Sequence, residues 1–297
     1  MQVVETKAAL REACEAARVR GARVGFVPTM GALHEGHARL LDEARARAEF
    51  VVCSIFVNPT QFGAGEDLDR YPRDRAGDLA LCEARGVSLV FYPASPAEMY
   101  GPGHQVQIQV PALSAPFCGA TRPGHFEGVA TVVTKLFSLV RPHLACFGEK
   151  DFQQLAVIRR LSEDLDLGVE IVGVPTARAP DGLALSSRNA YLSPEARARA
   201  LALWEGLQAG RGAYQGGERR PEPLRAAVEA QVAAGADAID YVGLCDPATL
   251  ADYPPDAEVP PEARVLIAAF FDGPAGGRTR LIDNGAIGAP PEARHGS

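Results

Sequence analysis

Two histidines, His34 and His37, stand three residues apart in the stretch Val27-Pro28-Thr29-Met30-Gly31-Ala32-Leu33-His34-Glu35-Gly36-His37. The apolar run Val24–Val27 leads into this stretch, and a run rich in alanine, arginine and leucine follows it. The pattern reads strand, Pro/Gly turn, helix, with both histidines at the helix entrance. Unsatisfied N–H groups and the helix dipole make such an entrance attractive to phosphate. Imidazoles placed there can hydrogen-bond phosphate oxygens or donate a proton. Taken alone, His-x-Gly-His also fits a metal pair or two surface histidines, so other segments must decide.

Three further segments bear on the choice. Asn58-Pro59-Thr60-Gln61-Phe62 follows an apolar run ending at Val57. Gln61 offers donors and acceptors to a hydroxyl or carboxylate, or it caps a turn. Phe147-Gly148-Glu149-Lys150-Asp151-Phe152-Gln153-Gln154 follows another apolar run and opens a helical one. Gly148 permits close backbone approach. Lys150 can neutralise charge building on a phosphate. Asp151 can accept from ribose hydroxyls or cap the helix. Asp181-Gly182-Leu183-Ala184-Leu185-Ser186-Ser187-Arg188-Asn189 offers hydroxyls, an arginine and a glycine, which suit a mobile phosphate clamp or a solvated loop with a serine cap. The basic residues are nearly all arginine, and lysine occurs only at 7, 135 and 150. A rare compact ammonium inside a motif makes Lys150 a candidate. Lys7 reads as a solvated helix residue, and Lys135 as either structural or functional.

These segments need elements to hold them. Strands are expected at Val24–Val27, Phe50–Val57, Ser88–Tyr92, Leu144–Phe147 and Val169–Val174, and helices at Thr6–Arg18, Gly36–Ala48, Arg73–Arg85, Gly128–Val140 and Phe152–Leu165. Such alternation implies an α/β fold with a mainly parallel sheet covered on both faces. Ligands of these sheets bind beyond the carboxyl ends of the strands. His34/His37, Asn58–Gln61 and Gly148–Gln154 each follow an expected strand end. After Pro175 the texture changes. A loop from Thr176 to Asn189 precedes helical runs at Pro194–Gln208 and Pro223–Ala233, split by a Gly-rich stretch, Gly210–Gly217. Strand-like runs follow at Ile239–Leu244, Arg264–Phe271 and Thr279–Ile282. The expected organisation is a catalytic domain over 1–175, a smaller α+β domain over 176–285 and a flexible Gly/Pro-rich tail over 286–297. No internal repeat is visible.

The 297 residues are enough for a large core. Net charge is −7, which argues against broad nucleic-acid or anionic-membrane binding. No run approaches the ~20 apolar residues of a membrane span. Met1–Arg11 shows no apolar signal region. Six scattered cysteines, without a Cys-x-x-Cys pair, read as free thiols in a reducing cytoplasm. His125 fits a loop over the site or a turn equally. His104 and His143 read as structural, His295 falls in the tail, and Trp204 reads as helix core.

Taken together, PTMGALHEGH, NPTQF, FGEKDFQQL and DGLALSSRN, in this order, resemble the pantothenate synthetase (pantoate–β-alanine ligase) family. The resemblance implies a Rossmann-like doubly wound sheet of the nucleotidylyl transferase type, with the C-terminal domain as a lid. It implies condensation of pantoate with β-alanine, driven by ATP through a pantoyl adenylate, giving pantothenate, AMP and pyrophosphate. It further implies Mg²⁺ on the phosphates and a homodimer. Carried over, Met30, Gly31, Ala32, Leu33, His34, Glu35, Gly36 and His37 would wrap the ATP phosphates, with His34 and His37 catalytic. Gly148, Glu149, Lys150 and Asp151 would take the ribose and α-phosphate, with Lys150 as the main cation. Leu185, Ser186, Ser187 and Arg188 would close over the β- and γ-phosphates, with Arg188 catalytic. Ala177 would lie at the adenine through its backbone. Gln61 and Gln154 would hold pantoate, and Asp78 would contact the metal. The chain departs from the family pattern at Leu185, where many relatives have methionine, at Phe152, where many have tyrosine, and at Ala177, which replaces a β-branched residue. The first two, apolar neighbours of the reactive groups, imply tuning rather than loss, and Ala177 keeps the backbone contact. Two other readings compete. A nucleotidyltransferase that stops at nucleotidyl transfer explains His34, His37 and the Ser-Ser-Arg loop, but Gln61 and Gln154 less well. A catalytically silent nucleotide-binding protein would be expected to have lost His34, His37, Lys150 or Arg188.

Overall fold

The computed structural model describes residues 1–63, 65–273 and 277–291; His295 and the rest of 292–297 lie outside the described residues. The elements are β1 (Gln2–Val4), α1 (Lys7–Val19), β2 (Val24–Thr29), α2 (Glu35–Arg47), β3 (Phe50–Ile55), α3 (Arg75–Ala84), β4 (Leu89–Phe91), α4 (Pro96–Met99), α5 (Pro111–Ser114), α6 (Cys118–Thr121), α7 (His125–Val140), β5 (Leu144–Gly148), α8 (Phe152–Asp164), β6 (Glu170–Val174), α9 (Pro194–Ala200), α10 (Ala202–Gln215), α11 (Pro221–Gly235), β7 (Ala238–Cys245), β8 (Arg264–Asp272) and β9 (Arg278–Ala286). They form two compact units. One comprises residues 1–114, 122–149 and 154–175; the other comprises 115–121, 150–153 and the chain from 176 onward.

In the first unit six strands pair in the order β1-β4-β3-β2-β5-β6, all parallel. Alternation along each strand sends side chains to opposite faces. Phe26, Val52, Phe91, Ala145 and Phe147 join one apolar cluster with Leu10 and Cys14 of α1, Val133 and Phe137 of α7, and Leu155 and Ile158 of α8. Val27, Val51, Cys53, Val90, Leu144 and Cys146 join another with Leu41 and Ala44 of α2 and Cys82 of α3. Both faces are therefore covered, which is why the strands read as near-continuous apolar runs. Each fully buried Leu, Ile, Val or Phe contributes ~1.5–3 kcal/mol. The expected doubly wound α/β fold is thus observed.

Pairing along β2 is unequal. Its register with β3 runs from Val24↔Phe50 to Thr29↔Ile55, but β5 pairs only at Gly25 and Phe26. Beyond Phe26, β2 and β5 are no longer paired, and Pro28, with no N–H to offer a neighbour, lies in that stretch. The strand order also reverses here, since β3 and β4 lie to one side of β2 and β5 and β6 to the other. This is the topological switch point, where open α/β sheets take their ligands.

The second unit has an antiparallel sheet, β7-β8-β9, with α10 and α11 packed against it. Leu203, Leu207, Leu224, Val228, Val265, Ile267, Phe271 and Leu281 form its core. Residues 115–121 and 150–153, inside the span expected for the first domain, belong to this unit. Gln153 explains part of this: its Nε2 donates to Pro116 O (2.7 Å), and its Oε1 accepts from Cys118 N–H (3.1 Å). The Phe117 ring lies 5.5 Å from the Tyr241 ring, and the Arg264 guanidinium stacks 4.2 Å over Phe152.

Several elements differ from expectation: the short helices α4, α5 and α6 answer to no expected helix, and the helical run expected over Pro194–Gln208 is divided between α9 and α10. β1 was not anticipated; it pairs with β4 from Gln2↔Leu89 to Val4↔Phe91. The Gly210–Gly217 stretch does not break the helix, because α10 runs on to Gln215. Two glycines of α10 are spacers: a Cβ on Gly206 would lie 2.7 Å from Val232 Cγ2, and one on Gly210 would lie 2.6 Å from Val228 Cγ2. Order also continues into the expected tail. Ile287 is buried and its N–H donates to Ala263 O (2.9 Å), while Gly288 N–H donates to Pro261 O (2.9 Å).

Candidate active site

The turn after β2 is shaped by its backbone. Gly31 has φ 83° and Ala32 has φ 51°. A non-glycine residue in the left-handed region needs outside support. Asp78, buried in the first turn of α3, supplies it: Ala32 N–H donates to Oδ2 (3.1 Å) and Leu33 N–H to Oδ1 (2.6 Å). Thr29 Oγ1 accepts from Gly31 N–H (3.3 Å) and donates to Ser54 O (2.8 Å). Burial raises the Asp78 carboxyl above the ordinary aspartate value, against the lowering effect of the two backbone donors. Each Asp78 carboxylate oxygen thus holds one N–H of the turn. Among the described residues no group of three His, Cys, Asp or Glu side chains could hold a metal ion.

The turn delivers His34 as the N-cap of α2. Gly36 N–H donates to His34 Nδ1 (3.1 Å), and His34 N–H donates to His37 Nδ1 (3.2 Å). This is a reciprocal capping box built from two histidines. An Nδ1 that accepts a hydrogen bond carries no proton, so in each neutral ring the proton sits on Nε2. The rings lie 4.2 Å apart between centroids. The backbone interactions thus set both tautomers and hold both rings at the positive end of a helix.

Gln61 follows β3, the neighbour of β2. It ends the 3-10 turn Pro59–Gln61, capped by Asn58. Asn58 Nδ2 donates to Gln61 Oε1 (3.1 Å) and Gly128 O (3.1 Å), and Asn58 Oδ1 accepts from Tyr100 Oη (2.8 Å) and Thr60 Oγ1 (3.0 Å). The polarity of the Gln61 amide is thereby fixed. Its Nε2 donates to Met30 Sδ (2.8 Å), joining this turn to the one after β2. A second brace holds the Gln61 main chain: His125 Nδ1 lies 2.8 Å from Gln61 O, and Arg122 pairs with Glu66 (2.6 Å). Burial alone would raise the Glu66 carboxyl, but the Arg122 hydrogen bond and charge bring it below the ordinary glutamate value. Burial raises the Tyr100 hydroxyl. Gly148 closes β5 on the other side of β2, Glu149 opens the 3-10 turn Glu149–Asp151, and Gln154 is half-buried in the first turn of α8.

Lys150 and the serine-rich turn lie in the second unit. Lys150, Ala184, Ser186, Asn189 and Asp283 line one small cavity of ≈ 10 Å³. Lys150 Nζ is 3.8 Å from Asp151 Oδ2. Ser186 caps the 3-10 turn Ser187–Tyr191, accepting from Arg188 N–H (3.3 Å). Ala177 is buried, and its carbonyl accepts from Leu185 N–H (2.9 Å). Arg178, one residue on, pairs through both terminal nitrogens with the buried Asp283 (2.6 and 2.9 Å).

The remaining side chains divide. His143 is structural: Val24 N–H donates to its Nδ1 (2.9 Å). Trp204 is buried in α10. His104 touches the Tyr100 ring. The Lys135 ammonium sits 5.6 Å over the same ring, and burial lowers its pKa, with help from the Lys7 charge. Asn58, Tyr100, Arg122, Glu66 and Asp283 escaped the sequence reading as site-building residues. Only Asn58 carried a local signal, an Asx-type cap ahead of proline.

Relatives share this architecture. Residues 2–286 match the family model Pantoate-beta-alanine ligase. The chain is 53% identical over 293 residues to the pantothenate synthetase of Myxococcus xanthus, covering 98% of each. It is 53% identical over 292 residues to that of Anaeromyxobacter dehalogenans, covering 96% of this chain and 98% of the relative. The crystal structure of pantothenate synthetase from Thermus thermophilus matches with TM-score 0.88 and 48% identity, over 97% of this chain and 99% of that one. The Francisella tularensis pantoate-beta-alanine ligase, complexed with beta-gamma ATP and beta-alanine, matches with TM-score 0.77 and 29% identity over 98% and 100%. With the histidine capping box, the switch-point loops and this full-length similarity in place, the chain belongs to the pantoate–β-alanine ligase family.

Proposed function

We propose that this chain condenses pantoate with β-alanine at the expense of ATP. The pantoate carboxylate attacks the α-phosphate of ATP, forming pantoyl adenylate and releasing pyrophosphate. The β-alanine amine then attacks the acyl carbon, forming the amide and releasing AMP. The adenylate is itself the activated acyl group, so positioning and charge neutralisation suffice.

The observation that carries this reading is the two-histidine capping box. His34 caps α2 and His37 stands in its first turn, where helix N–H groups favour phosphate, so both are assigned to the ATP phosphates, together with the backbone of Met30–His37. Gln61 Nε2 now donates to a thioether, a weak acceptor that a pantoate oxygen readily replaces. Gln61 and Gln154 are assigned to pantoate, and Gly148–Asp151 to the ribose and α-phosphate. Lys150 and Arg188 are the cations, with Leu185–Ser187 on the outer phosphates and Ala177 at the adenine. Magnesium enters as MgATP, because Mg²⁺ characteristically keeps waters and phosphate oxygens rather than an all-protein cage. The lid role of residues 176–285 is part of the same proposal. Six buried cysteines outside disulfides fit a reducing, cytoplasmic setting.

The test is single-turnover release from MgATP with pantoate, with β-alanine added or withheld. Pantoate alone should release pyrophosphate, and β-alanine should then release AMP and pantothenate. Pyrophosphate release without any β-alanine-dependent AMP would favour the nucleotidyltransferase reading. The proposed homodimer should sediment at twice the monomer mass at micromolar concentration; a species of monomer mass would overturn it.

A further inference from the structure

β9 carries two adjacent buried polar residues, Asp283 and Asn284, at 2% and 3% exposure. The Asn284 side chain has a fixed polarity. Its Oδ1 accepts from Arg264 Nε (2.8 Å), so its Nδ2 is the group that donates to Lys150 O (2.7 Å). Arg264 is itself held flat over Phe152, two residues beyond Lys150. Asp283 pairs with Arg178 through both oxygens and accepts from Asn284 N–H (2.7 Å). Arg178 also donates to Gly182 O (3.1 Å) and bridges to Ala184, which fastens the segment running into Ser186. Two adjacent residues of one strand therefore tie down both segments that line the small cavity, Lys150 on one side and the Ser186 turn on the other.

We propose that Asn284 is a positioning residue for the adenylation step, acting through Lys150. The reading rests on Lys150 being the cation at the reacting phosphate. A lysine ammonium is a point charge on a flexible four-carbon stem, so its placement depends on where the stem starts. Lys150 stands in the 3-10 turn Glu149–Asp151, too short to fix its own peptide planes. The Asn284 amide fixes one from outside. Asp283, bonded to the same strand's backbone, keys that position to the serine-rich turn. Neither residue is in a segment whose sequence advertises chemistry.

Asn284→Asp is the selective variant. It is nearly isosteric, keeps an acceptor for Arg264 and replaces the donor facing Lys150 O with an oxygen. Single-turnover pyrophosphate release at saturating MgATP and pantoate should slow by about 10–100-fold, in line with a misplacement of ~1 Å. The KM for ATP should stay within about threefold, because the lost charge placement matters most in the transition state. The decisive readout is a double-mutant cycle with Lys150→Ala. If Asn284 acts through the ammonium, Asn284→Asp should add nothing in the Lys150→Ala background, whereas a general structural defect would multiply. Asn284→Asp at the wild-type rate overturns the proposal, and so does a double variant slower than Lys150→Ala by the full Asn284 factor. A Lys150→Ala enzyme with undiminished release overturns the underlying reading of Lys150 instead. Asn284→Ala, put through the same cycle, serves if the aspartate variant lacks a cooperative melt.

Discussion

At the scale of residues, the most consequential contact is a carboxylate that holds backbone. Asp78 holds Ala32 and Leu33 in a conformation that sets up the histidine cap. Asp78→Asn would turn one oxygen into a donor facing another donor. That loses one turn bond and leaves an N–H unsatisfied, a cost of about 1–3 kcal/mol at the turn. Pyrophosphate release should fall by roughly 10–100-fold by the same arithmetic, and stopped-flow release would check it. The pH signature runs opposite to the usual aspartate. Burial raises the folded carboxyl above its unfolded value. The stability it confers is full below the ordinary aspartate pKa and is lost as pH rises through the raised folded value. Denaturant titrations from acid to neutral pH should therefore show wild type losing stability relative to Asp78→Asn. A constant difference would contradict this account. Among sequence signals, the His34/His37 pair was legible because capping and phosphate affinity both belong to a helix start. The Asp78 contact was not, because it depends on α3 packing beside the turn, and nothing in Asp74–Asp78 encodes that neighbour.

At the scale of elements, the strands of the parallel sheet were readable because double-sided burial leaves apolar runs. β1 was not, being three residues at a sheet edge with Val4 as its one buried member. Glycine misled in α10, where it serves helix–helix contact rather than chain reversal. α7 contains the sharper case. A Cβ on Gly128 would run into the Thr60 carbonyl and approach Gln61 Cα to 2.7 Å, and both are backbone. Gly128→Ala gains ~1 kcal/mol of helix propensity, yet it must push away the turn that carries Gln61. Overpacking of this kind costs about 1–3 kcal/mol. Chemical denaturation should show net destabilisation, and steady-state assays a raised KM for pantoate. A more stable variant with unchanged KM would mean that the turn yields freely.

At the scale of the whole molecule, all six cysteines are buried and none is in a disulfide. Burial pushes the Cys14 thiol up to about 11 and the Cys146 and Cys245 thiols up to about 12. A thiol reagent should find almost none of them reactive in the native protein at neutral pH and all six after denaturation. Fast native labelling would point to openings that this packing does not provide. The change of texture near Pro175 was visible in composition, but the capture of residues 115–121 and 150–153 was not, since it is made by Gln153, Phe117 and Phe152 finding partners far along the chain. That capture bears on modularity. The chain passes between the two units at 114/115, 121/122, 149/150, 153/154 and 175/176. A protein dissected at its obvious linker would yield a 1–175 fragment with Phe117 and Phe152 stripped of cover, and a remainder lacking the segments that pack against Tyr241 and Arg264. Recombining halves of two relatives at residue 175 would likewise mismatch partners on both sides of the seam, so the unit that can be inherited or exchanged intact is the whole chain.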